Sequence, residues 1–156
     1  MENLEEKKAF LKSGYTKILN ELDADASRKW GKMNVQQMIE HMSDYVRIAS
    51  GKTPMDIVTE AERLPRMQGF LESEKQFPEN TPNVLMSDTP APVRHATKQD
   101  AVNELRDELD HFFKVHEDDT AKRTANPFFG ELGFDQQVQL LHKHATHHLR
   151  QFGAIV

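Results

Sequence analysis

Near its C-terminus the chain reads LLHKHATHHLRQFG, which puts His142, His144, His147 and His148 within seven residues. Half of the protein's eight histidines lie there. Neutral imidazole is a good ligand for zinc, nickel and related divalent ions. The chain has no cysteine, which excludes disulfides, thiolate metal sites and cysteine nucleophiles. A metal here must be held by His, Asp or Glu. On a helix, residues four apart lie on one face with their Cβ atoms about 6 Å apart. His144 and His148 form such a pair and can share one ion. A third ligand must come from another element, and His41, within QQMIEHMSDYV, is the candidate. His95 lies in a proline-rich stretch and is a possible lid residue. His111 and His116 lie beside acidic residues and are expected to be exposed.

Whether these side chains converge depends on the helices that carry them. The last helix is predicted from about Phe134 to Phe152, with Phe134, Val138, Leu141, Ala145, Leu149 and Phe152 on its apolar face. On a wheel of 100° per residue, His148 falls about 50° from the centre of that stripe and His144 about 40° further round. His147 points away and His142 lies on the opposite shoulder. His41 belongs to a helix with a readable start. Asn34 is a good N-cap, Gln37 completes a capping box, and Met33 and Met38 can form a hydrophobic staple. Its face continues through Ile39, Met42, Tyr45 and Val46, and Gly51 stops it. Glu40 projects about 100° away from His41.

Two more helical periods complete the set. One runs roughly from Asn3 to Leu22, with regular spacing from Leu11 onward. The other resumes at Thr97 and carries Ala101, Val102, Leu105, Leu109, Phe112 and Phe113. Between Thr53 and Thr97 lie six of the seven prolines. Thr53-Pro54 resembles a helix start, and short helices are predicted around 54–63 and 66–74. KQFPENTPNVLMSDTPAPVRHA cannot be a regular helix. A connection this long is commonly a functional lid. No strand-period pattern appears. The expected fold is all-α: a four-helix bundle with a long Pro-rich crossover, residues 1–156 forming one domain.

The totals bound the function. A net charge of −5 argues against nucleic-acid binding, because no basic surplus is present to release counterions. No apolar run approaches the roughly 18 residues of a membrane span, and MENLEEKKAF does not look like a signal peptide. A cytoplasmic location is expected. From pattern alone two readings stay open: a three-histidine metal site, or an exposed polar helix face with packed histidines.

WGKMNVQQMIEH, followed later by NPFFGELGFDQQVQLLHKHATHHLRQFG, resembles the DinB-like superfamily over nearly the whole chain. The likeness is to a branch with a W-x-x-M-x-x-x-Q-M-x-x-H start and an H-x-x-H-H-L-R-Q-F-G end. It implies a four-helix bundle of up-down-down-up connectivity. It implies metal ligation, by zinc or nickel, through His41, His144 and His148, with His147 not binding. Asn126 stands where the resemblance leads one to expect a histidine before the Pro-Phe-Phe-Gly turn. The resemblance also implies transfer of low-molecular-weight thiols, or metal-dependent hydrolysis, on a small-molecule substrate.

Three neutral imidazoles leave a divalent ion with open positions for a thiol or for water, either of which loses its proton more readily there. A bundle that binds metal or a ligand without catalysis, or dimerises through an apolar stripe, is the competing expectation. Tyr45 can hydrogen-bond a substrate or pack. Arg150 is expected to be a solvated helix-end charge. Trp30, Phe128 and Phe129 can line a pocket or pack against helix ends.

Overall fold

The computed structural model describes residues 1–81 and 89–156. The part of the expected irregular crossover that falls on 82–88 lies outside the described residues. The chain is mostly helical, with one two-stranded sheet among the described residues.

The first predicted helix forms, in three pieces that run on without a break. These are α1 (Leu4–Ala9), a π-helical turn (Phe10–Gly14) and α2 (Tyr15–Glu21). The widened turn takes in one extra residue and shifts the positions that share a face. It stacks Phe10 on Tyr15, five residues on, with ring centroids 5.5 Å apart. The Lys98 ammonium closes the end of α2 by donating to the carbonyls of Leu19, Asn20 and Leu22.

The second predicted helix is α3 (Val35–Ser50), and its capping box is complete. Asn34 Oδ1 accepts from Gln37 N–H at 2.8 Å, and Gln37 Oε1 accepts from Asn34 N–H at 2.9 Å. Gly51 ends the helix at φ +83°, where a side chain would be strained.

The predicted helix around 54–63 does not form. This stretch has no regular structure up to Glu60 and lies along a hairpin: Val58 N–H donates to Pro127 O and Thr59 Oγ1–H to Phe128 O, both at 2.8 Å. Thr53-Pro54 signals a start, but the β-branched run Ile57-Val58-Thr59 is poorly suited to continue it. Helix begins only with a 3-10 turn (Ala61–Arg63) leading into α4 (Leu64–Glu72), near the predicted 66–74.

The helix predicted from Thr97 is α5 (Lys98–Asp118), with the Thr97 side chain accepting from Asp100 N–H at 3.1 Å. The hairpin was not predicted. Its strands, β1 (Thr124–Asn126) and β2 (Gly130–Leu132), pair antiparallel with Ala125 opposite Glu131. Three residues per strand are too few for alternation to show in a sequence. Asn126 Oδ1 shapes the turn by accepting from the N–H groups of Phe128 and Phe129. The last helix, α6 (Phe134–Gln151), matches its predicted span.

The stripes meet in one core. Helix α3 lies along α5, α1 packs on α6, α2 on α5, and α3 touches α6. Tyr15, Met38, Ile39, Leu105, Phe112 and Leu149 are among its fully buried side chains. A smaller cluster of Leu71, Phe129, Leu132 and Leu140 joins α4, the hairpin and α6. His116 belongs to the core, contrary to its expected exposure. Its Nε2–H donates to Ala49 O at 3.0 Å and its ring stacks on Phe134. One turn after Phe112 it faces inward, whatever its acidic sequence neighbours. No helix among the described residues is long and apolar enough to cross a membrane.

Candidate metal centre

Helix α3 supplies His41, and α6 supplies His144 and His148 one turn apart. Where these two helices touch, the three rings meet. His144 Nε2 lies 3.1 Å from His41 Nε2 and 2.9 Å from His148 Nε2. One ligand atom from each residue falls within 4.8 Å of the others. Nitrogens about 2.0–2.1 Å from a common ion are about 2.8–3.0 Å apart on an octahedral edge and about 3.3–3.4 Å on a tetrahedral one. The separations of 3.1 and 2.9 Å lie within that range. The three residues singled out from the sequence are therefore the three brought together, and they can hold a metal ion.

The chain also sets the protonation of this trio. The Gln151 amide donates through Nε2 to Trp30 O at 2.9 Å, which leaves its Oε1 facing His148 Nδ1 at 2.7 Å. A carbonyl oxygen only accepts, so His148 Nδ1 carries the hydrogen and the lone pair sits on Nε2, toward His144. Burial, reinforced by His147, pushes His41 down to about 4. Burial and then the neighbouring His41 push His148 down to about 3, against the opposing Gln151 hydrogen bond. Burial and the charges of His148 and His41 hold His144 well below its ordinary value. The rings are neutral at physiological pH, so a cation need displace no proton. Ring nitrogens crowded this closely repel unless a hydrogen, such as the N–H of a neutral ring, or a cation lies between them.

A cavity of about 540 Å³ opens onto the trio. Trp30, Met33, Met67, Phe77, Phe128 and Phe129 contribute apolar wall, while Tyr45 and His147 flank the histidines. The Tyr45 ring centroid lies 4.8 Å from those of both His41 and His144. Trp30, Phe128 and Phe129 thus line a pocket and also pack, so the two expectations for them are not exclusive. Asn126 lines the same cavity while shaping the hairpin turn.

Other expectations are corrected. His147 does not point into solvent: it is 8% exposed and packs against Trp30, Phe77 and His148, with centroids 5.3, 5.8 and 5.1 Å away. The wheel ranked positions by one apolar stripe, whereas this side of α6 is covered by residues outside the helical periods. His142 lies edge-on to Phe10 and is half-buried; burial, then the Lys7 charge, lowers it to about 4. His95 does not line this cavity and instead binds Glu104, Nε2 to Oε2 at 3.0 Å. Glu40 is buried and holds the end of the crossover, accepting from Arg94 N–H at 2.5 Å. Arg150 is not a solvated charge: it is half-buried, its Nη2 has no hydrogen-bond partner among the described residues, and burial lowers its pKa. Sequence reasoning missed Gln151 and Phe77. Gln151 lies three residues after His148, within reach of it on a helix, which was the available signal. Phe77 lies in an irregular stretch and left none.

No family model, curated protein or solved structure matches the chain.

Proposed function

We propose that this chain binds a divalent metal ion, zinc or nickel, through His41, His144 and His148, and uses it to activate a low-molecular-weight thiol for transfer to a small substrate. The observation that carries this reading is the convergence of three neutral imidazoles, with the His148 lone pair fixed by Gln151. The ion would supply Lewis acidity, lowering the pKa of a thiol or a water that reached its open position. The chain's own residues do the rest. Gln151 orients His148, the cavity admits substrate beside the trio, and its aromatic wall limits access of water. The sequence motifs around His41 and His144–His148 support placing these elements in a DinB-like four-helix bundle of up-down-down-up connectivity.

Hydrolysis is the second reading, and His147 favours it: its ring lies in the cavity lining beside the trio, where a neutral imidazole can act as a general base toward water.

Elemental analysis of untagged protein tests the metal. About one zinc or nickel per chain is expected in the parent, with loss from His41→Ala, His144→Ala and His148→Ala. A parent that takes up neither ion after incubation with both would overturn the proposal.

A further inference from the structure

The cavity wall says more about the ligand than the three histidines do. Its aromatic members come from four separate parts of the chain: Trp30 from the loop before α3, Tyr45 from α3, Phe77 from the stretch after α4, and Phe128 and Phe129 from the hairpin turn. Two methionines, Met33 and Met67, add soft, adaptable surface of the kind that accommodates rings. Phe77 is central to this wall, 6.4 Å from Phe129 and 6.2 Å from His144 between ring centroids. Formal charge is nearly absent. Apart from the neutral histidines, the one ionisable side chain in the described lining, other than Tyr45, is Lys32, which is exposed to solvent. A ligand bearing several carboxylates would lose their hydration there without gaining a buried cationic side chain among the described residues of the lining. A flat uncharged ring would gain contact on several sides.

We propose that the cavity selects an uncharged aromatic molecule, and that such a molecule, carrying a single thiol, is the form of ligand delivered to the trio. The thiol half rests on the metal reading above; the aromatic selectivity does not.

The chain has one tryptophan, Trp30, and it lies in the cavity wall. Its fluorescence therefore reports on occupancy directly. Three probes would be titrated into zinc-loaded and metal-free protein: phenylmethanethiol, toluene as the ring without the donor, and mercaptosuccinate as a charged thiol without the ring. Phenylmethanethiol is expected to bind zinc-loaded protein at least tenfold more tightly than mercaptosuccinate. Toluene is expected to bind both forms alike. Phe77→Ala should weaken both aromatic probes about fivefold, in line with the loss of one ring contact, with an unchanged melting transition checking that the fold persists.

Mercaptosuccinate binding as tightly as phenylmethanethiol, or aromatic probes giving no saturable response, would overturn the proposal. Phenylmethanethiol binding no better with zinc than without, while still preferred over mercaptosuccinate, would uphold the aromatic selectivity and count against the metal reading. The two failures are thereby distinguishable.

Discussion

Gln151 is a residue whose importance comes entirely from its two hydrogen bonds. One end of its amide is held by Trp30 O, and this decides which end faces His148. Gln151→Leu keeps the volume and removes both bonds. Metal affinity is expected to fall about 10- to 100-fold, the usual range for losing an outer partner of a ligating histidine. Competition against a chromogenic chelator measures this, and an unchanged affinity would show that His148 needs no orienting. The histidine trio was legible in the sequence because four-residue spacing is a strong geometric statement and His41 lies on a helix with a readable start. Gln151 was not, because a glutamine in a polar helix end has many ordinary roles. His147 was misjudged for another reason. A helical wheel knows only its own helix, and the ring is covered by Trp30 and Phe77 from irregular chain.

At the level of elements, the site depends on how α3 begins. His41 lies two turns into a helix whose start is fixed by the reciprocal Asn34–Gln37 bonds. Asn34→Ala is expected to cost about 1 kcal/mol of stability, the typical loss for such a cap. Urea denaturation with an unchanged slope measures it. Loss of stability without loss of metal would mean that α3 is held mainly by its packing on α5. Helix ends with caps were readable from the sequence: α3, α5 and α6 all lie where expected. The two failures were elements in which local signals are weak or misleading. Thr53-Pro54 announced a helix that its β-branched successors could not sustain. The β1–β2 hairpin owes its existence to the Asn126 side chain and to the covering segment 58–59, neither of which has a period.

For the whole molecule, the buried histidines make stability depend on pH. His41, His142 and His148 are pushed down to between about 3 and 4, whereas in the unfolded chain each binds a proton near 6.5. Below that value the unfolded state holds more protons than the native state. Stability of metal-free protein is thus expected to be fully present above about pH 7 and to decline as pH falls from about 6.5 toward 4. Melting temperature recorded across that window measures the effect, and a flat profile would mean that these rings are hydrated in solution. The carboxylates work at lower pH. Burial alone would raise Glu104, but hydrogen bonds from His95 and Arg94, with the Arg94 and Arg47 charges, hold it near 2. Its contribution is fully present above about 4.5 and is lost progressively as pH falls from there through about 2.

The loop between α2 and α3 carries one glycine with an unusual constraint. Gly31 has φ +77°, and a Cβ added there would stand 2.7 Å from Gln151 Nε2. The first methyl group at this position would therefore push on an amide, the amide on an imidazole, and the imidazole on any ion it held. Gly31→Ala is expected to weaken zinc binding in the same chelator competition by more than a loop substitution ordinarily would, although residue 31 ligates nothing. Normal affinity would show that the Gln151 side chain can step aside. The loop would in this sense be a remote adjustment for an ion held by the trio, and a graft of the three histidines onto another scaffold would have to bring the glycine as well.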